Sequence, residues 1–138
     1  MSDLQRDFEI IQEDKDYLNA RGFQWETVMV NNQMWLIVHG FPVPEGYNTR
    51  VVDAAVMIPS DYEICGLDMV YIKPALHRTN GVRIGATDYN ETIRGELYQR
   101  WSRHRTSQNP WRAGLDNIGT HLDLVEEWLL RELHKEIA

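Results

Sequence analysis

The sequence predicts an α+β fold: an N-terminal helix, a four-stranded antiparallel meander, a long irregular crossing segment and a C-terminal helix. Three observations carry this. Apolar residues recur at helical spacing only toward the two ends of the chain. β-Branched and aromatic residues fall in short runs between Phe23 and Ile72. The stretch from Pro74 to Asn109 holds no sustained period. At 138 residues the chain is sized for a single domain, residues 1–138.

Residues 3–19 put Leu4, Phe8, Ile11 and Leu18 on one face, as an amphipathic helix does. Ser2 or Asp3 is placed to cap it, and Gly22 follows its end. Residues 23–30 alternate Phe23, Trp25, Thr27 and Met29 against Gln24, Glu26 and Val28. Asn31-Asn32 then reads as a hairpin turn into residues 34–41. A loop punctuated by Pro42, Pro44 and Gly46 leads to a third strand, 51–58, which Pro59 closes. The fourth strand, 67–72, lies between Gly66 and Pro74, and short links between successive strands favour antiparallel pairing. Residues 116–137 return to helical spacing through Ile118, Leu122, Val125, Leu129 and Leu133. Asp116 or Asn117 caps that helix, and Arg131, His134 and Lys135 sit late, where the helix dipole favours cations.

Composition excludes several classes. Fourteen Lys plus Arg against 21 Asp plus Glu give a net charge of −7, which disfavours a general nucleic-acid binder. Apolar runs reach only about five residues, so no membrane span is expected. The opening MSDLQRDFEI has no basic region followed by an apolar run, so the expected location is the cytoplasm. Cys65 is the one cysteine, which excludes an intrachain disulfide and a Cys-rich zinc site. His39, His77, His104, His121 and His134 are scattered without metal-pair spacing, so no metal is expected. No P-loop or dinucleotide fingerprint occurs, and no cofactor is expected.

Three features carry candidate chemistry. Cys65 is the sole thiol, but its neighbours Asp61, Glu63 and Asp68 are acidic, whereas a reactive thiolate needs a nearby cation or helix N-terminus. A small hydrophobe ahead of a strand is the plainer reading of it. Arg94, Arg100, Arg103, His104, Arg105 and Arg112, interleaved with Tyr98, Trp101 and Trp111, reverse the charge of an acidic chain locally. Arginine forks and Trp suit a partner surface, and equally suit internal neutralisation and core packing. Ser102 and His104 stand two apart with acids nearby, but no G-x-S-x-G elbow is present and that spacing alone makes no triad.

Several short words together resemble a known family. They are Pro44-Glu45-Gly46-Tyr47, Ile58-Pro59-Ser60-Asp61-Tyr62, Leu67-Asp68-Met69-Val70-Tyr71 with Pro74, and Trp101-Ser102-Arg103-His104 with Trp111. In order and spacing, over roughly residues 25–130, they resemble the prokaryotic branch of the ubiquitin-conjugating (E-two) superfamily called family E. The resemblance implies a ubiquitin-conjugating-enzyme-like (UBC/RWD-like) fold and a place in a bacterial ubiquitin-like modification pathway. It implies as partners a ubiquitin-like or multi-ubiquitin-like protein, an adenylating activating enzyme and a JAB-type metalloprotease. The superfamily carries the modifier as a thioester on a cysteine in the crossing segment, after a His-Pro-Asn word. Pro74-Ala75-Leu76-His77 and Asn80-Gly81 echo that region, but residues 73–138 hold no cysteine, and Val82, Ile84, Ala86 and Thr87 stand where the thiol is expected. Glu63, not proline, follows Tyr62.

The first expectation is therefore a conjugating-enzyme-like protein that binds the modifier or activating enzyme through Arg100, Trp101, Arg103, His104 and Trp111. An alternative is a thioester on Cys65 with His77 or His104 moving the proton. A third is an arginine-rich phosphate or nucleic-acid module.

Overall fold

A computed structural model of the protein describes residues 4–135. Its elements run α1 (Gln12–Ala20), β1 (Gln24–Val30), β2 (Gln33–Pro42), β3 (Val51–Ile58), β4 (Val70–Lys73), β5 (Asn90–Ile93), β6 (Glu96–Trp101) and α2 (Ile118–Glu132). The strands form one antiparallel sheet in the order β1-β2-β3-β4-β6-β5. The expected α+β class and the four-strand meander stand; the first helix, the fourth strand and the crossing segment differ most.

The first helix is shorter than residues 3–19. Residues 4–11 are not helical: the chain meets the free edge of β1 at Arg6, where Asp7 N donates to Thr27 O (2.7 Å) and Thr27 N donates to Gln5 O (3.0 Å). An unpaired edge offers a row of backbone donors and acceptors, and this pairing outcompetes one more turn of helix. Leu4 and Ile11, expected on a buried helical face, are instead 39% and 38% exposed. The cap candidates Ser2 and Asp3 lie outside the described residues. The fourth strand begins at Val70, because Met69 adopts φ +58° and turns the chain ahead of it.

The crossing segment is less irregular than expected. β5 and β6 are a hairpin closed by Arg94-Gly95, both at positive φ (52° and 79°), the two-residue geometry that matches strand twist. β6 pairs with β4, so the hairpin enlarges the meander to six strands. The β1–β2 turn at Asn31-Asn32 has the same geometry (φ 51° and 65°), as the sequence predicts. α2 is capped by Asn117, which accepts from Thr120 N (2.9 Å) while Thr120 Oγ1 accepts from Asn117 N (2.9 Å).

α2 lays Ile118, Leu122, Val125, Trp128 and Leu129 on one face of the sheet, against a cluster that includes Trp25, Leu36, Val56, Ile72 and Trp101. Truncating Leu122 or Leu129 to Ala there costs about 2–5 kcal/mol. The opposite face carries a second cluster of Val28, Trp35, Ile37, Ala55, Tyr71, Ile93 and Tyr98, with Trp35 edge-on to Tyr71 at 5.0 Å. Between Val38 and Phe41 the β2–β3 register shifts, with Gly40 at φ +73°, a bulge that bends the sheet. Among the described residues no helix is long and apolar enough to cross a membrane.

Two polar centres tie these layers together. Asp14 is fully buried; its Oδ1 accepts from Ile118 N (3.1 Å) at the start of α2 and its Oδ2 from the Tyr62 hydroxyl (2.7 Å). Burial pushes its carboxyl above the usual range, partly offset by those two donors. On the other side of the sheet, His39 lies between Glu26 (2.6 Å) and Asp53 (2.9 Å), and Arg94 holds both Glu26 oxygens at 3.1 Å. Burial works against a charged His39, but the Glu26 and Asp53 hydrogen bonds outweigh it and raise its pKa above 6.5.

Asp14→Ala leaves the Ile118 amide and the Tyr62 hydroxyl buried and unpartnered, and is expected to destabilise the fold by about 2–4 kcal/mol in urea titration. The raised His39 pKa makes its contribution full below the unfolded value of 6.5 and lost as pH rises through the folded value. The stability advantage of the wild type over His39→Gln is therefore expected to shrink as pH rises above 6.5, in melting temperatures measured across that range.

Candidate functional site

The loop joining β3 to β4 presents the only thiol. Ile64 N and Cys65 N both donate to Asp61 O, winding residues 61–65 into tight turns. Tyr62 anchors the loop inward on Asp14, and Trp111 Nε1 donates to Glu63 O (2.9 Å) from the other side. Gly66 is required here, since a Cβ on it would stand 2.4 Å from the Trp111 ring. Cys65 itself is exposed and its Sγ donates to Asp61 Oδ2 at 2.9 Å. That hydrogen bond above all, with a slight loss of solvation and the Asp61 charge, raises the thiol pKa. The acidic neighbourhood read from the sequence thus persists in space, and it disfavours a thiolate.

The histidines expected beside the thiol sit elsewhere. His77 is exposed, held through its backbone amide by Asn48 Oδ1 (2.7 Å), and lines a cleft of about 410 Å³ with Arg83, Ile84, Asp88 and Gln99. Val82, Ile84 and Thr87 line this same cleft, which lies where the superfamily's cysteine was expected. His104 Nδ1 engages Asp68 Oδ2 at 2.7 Å, not Cys65.

Most of the arginines are already spoken for. Arg94 is locked on Glu26. Arg103 reaches the buried Glu132 (3.2 Å) and Gly85 O (3.0 Å). Arg105 and Arg112 share Asp116, each at 3.8 Å; against its burial, the Arg112 backbone amide and the Thr120 side chain, and then these two charges, hold its carboxyl low. Internal neutralisation therefore accounts for much of the cluster. Trp101, expected on the partner surface, has 0% exposure; its Nε1 donates to Gln99 Oε1 (2.9 Å) and its ring lies beneath Arg103, so it supports the segment from below. Trp111 is half-buried, tilted against Tyr62 (6.0 Å, 54° between the rings) and beneath Arg105 (5.0 Å).

What stays available lies along the end of β6 and the loop after it. Arg100 stacks over Tyr89 at 4.4 Å. His104 side-chain exposure is 60%. His104, Arg105 and Gln108 line a groove of about 510 Å³ against Trp128 and Arg131 of α2. On the other side of His104, Ser102 Oγ lies 3.3 Å from its Nε2, so Asp68, His104 and Ser102 form a continuous hydrogen-bonded line. The sequence carried the Ser102–His104 pair, but only the β4–β6 pairing brings Asp68 to it. His121 is fully buried, bonded to Met69 O (2.9 Å), and burial pushes its pKa down to about 4. It serves as a neutral core group.

The model of the family described as prokaryotic E2 family E matches residues 10–132. The chain belongs to that family. The four resembling words lie inside the match, in the loop before β3, the β3–β4 loop, β4 and the end of β6. No curated protein and no solved structure matches the chain. In this family E member, the Trp101-Ser102-Arg103-His104 word starts at the last residue of β6: Trp101 is buried, Arg103 reaches Glu132 of α2, and Ser102 and His104 line up with Asp68.

Gly66→Ala drives a methyl into Trp111 and is expected to cost about 1–3 kcal/mol. A shift in tryptophan emission absent from Gly66→Ala/Trp111→Phe, measured alongside urea titration, identifies the displaced ring.

Proposed function

We propose that this protein is a ubiquitin-conjugating-fold component of a prokaryotic ubiquitin-like modification pathway that binds the modifier or its activating enzyme without forming a thioester. The observation that carries this is the state of the sole thiol: Cys65 is outside the crossing segment, bonded to Asp61, with its pKa raised. Family membership supports the pathway, and the order of helix, meander and C-terminal helix supports a UBC-like fold. The partner-facing surface is the β6 end and the groove beside it, with Arg100, Arg103, His104 and Trp111 expected to contribute. His104, Arg105 and Arg131 line that groove together with Glu127, which pairs with Arg131, so a partner would meet it through charges of both signs. A JAB-type metalloprotease belongs to the same proposed pathway, and the cytoplasm is its proposed location.

A second reading, thioester formation on Cys65, is favoured by the exposure of that thiol. Intact mass after mixing the chain with its genomic neighbours' modifier, activating enzyme and ATP separates the two. The expected result is no reductant-sensitive adduct, with co-elution of modifier or activating enzyme. Charge reversal by Arg131→Glu is expected to weaken that association about tenfold or more. An adduct lost in Cys65→Ala establishes the thioester instead.

A further inference from the structure

We propose that Ser102 is an acyl-accepting nucleophile, activated by His104 and Asp68, in a cleft suited to a carboxylic ester bearing a negative charge. The geometry is that of a Ser–His–Asp relay, which is recognised by roles and distances, not by chain order. Asp68 Oδ2 meets His104 Nδ1 at 2.7 Å, and His104 Nε2 meets Ser102 Oγ at 3.3 Å. The acid is itself oriented, because Asp68 Oδ1 accepts from Met69 N at 3.1 Å. His104 is fixed at both nitrogens, one toward the acid and one toward the hydroxyl, which selects the tautomer that can take the Ser102 proton.

Ser102 opens on a cleft of about 370 Å³ lined by Ala86, Asp88, Tyr89 and Arg100. Both oxygens of Asp88 are taken by Arg83 at 2.9 Å, so this acid does not neutralise the cleft. Arg100 lies two residues before Ser102 on the same strand face, flattened on Tyr89, with its Nε buried and unpartnered among the described residues. A guanidinium beside the nucleophile suits both a substrate carboxylate and the oxyanion of an addition intermediate. None of this rests on the pathway reading, because the chemistry needs only this chain, an ester and water.

The step balances as follows. Ser102 Oγ forms a bond to the ester carbonyl carbon while its proton passes to His104 Nε2. The carbonyl electron pair moves to oxygen beside Arg100, then returns as the carbon–alkoxy bond breaks. His104 gives its proton to the departing alcohol, leaving acyl-Ser102. Water then bonds to the acyl carbon, losing one proton to His104; the bond from that carbon to Ser102 Oγ breaks, His104 returns the proton to Oγ, and the carboxylic acid leaves. Asp68 is a positioning residue that holds the imidazolium.

The test uses the full chain and a fluorophosphonate, whose phosphorus forms a bond to Ser102 Oγ as fluoride leaves. The expected result is a single adduct that peptide mass spectrometry places on Ser102, absent from Ser102→Ala and His104→Ala. Asp68→Asn is expected to slow labelling by about tenfold or more with unchanged circular dichroism. A 4-nitrophenyl ester of a dicarboxylic acid is expected to be cleaved about tenfold faster than the acetate, and Arg100→Leu to erase that preference. Labelling no faster than that of the urea-unfolded chain, or labelling at the same rate in His104→Ala, overturns the proposal. Equal cleavage of the two esters overturns the assignment of a charged substrate.

Discussion

The buried carboxylate of Asp14 is the constraint on which the rest of the structure depends. It lies in α1, yet it supplies the acceptor that the first amide of α2 needs, and it fixes the hydroxyl of Tyr62 in the loop between β3 and β4. A helix N-terminus buried against a sheet leaves donors that water cannot reach, and a carboxylate satisfies one while meeting the positive end of the dipole. From Tyr62 the connection continues through Trp111 to Gly66 and Arg105. One buried acid thereby fixes the position of α2, the tilt of the thiol-bearing loop and the floor of the groove beside His104.

The hairpin of β5 and β6 decides what the exposed end of the sheet presents. Because β6 pairs with β4, Val70 faces Trp101, and the residues just beyond that pair meet as well. Met69 N donates to Arg103 O at 3.1 Å, which carries Asp68 alongside His104. The segment is thereby divided by chemistry: Trp101 and Arg103 serve the core and Glu132, while Ser102 and His104 line up with Asp68. A cysteine in this neighbourhood is not needed for nucleophilic chemistry, provided that an imidazole is held on a hydroxyl.

Charge is used here mainly to close the fold. Glu26, with Arg94 on both oxygens and His39 beside it, has its carboxyl pulled down to about 2 by those partners and the Gln5 amide against its own burial. Such a paired, half-covered network cross-links β1, β2, β3 and the β5–β6 turn. The acidic surplus of the sequence therefore says little about partners until the internal pairs, His104 with Asp68 and Arg131 with Glu127 among them, are removed from it.

The sequence by itself determined the class, the meander and the second helix, because these depend on local periodicity and turn chemistry. Asn31-Asn32, Pro59 and Asn117 each act within a few residues of themselves, and each does in the structure what its type dictates. The acidic setting of Cys65 was equally local, since Asp61 is four residues away and shares its turn. Tertiary structure alone decided the rest. Leu4 and Ile11 keep helical spacing but lose the helix to the edge of β1, a competition that no window of residues contains. The Arg94-Gly95 turn was visible as two letters, but its strands are short and half-exposed, so their period was weak until β4 gave β6 a partner. Trp101 read as an anchor for a partner because burial is a property of the assembled core. Asp68 and His104 are separated by a hairpin and a loop, and only the pairing of β4 with β6 converts that separation into a hydrogen bond.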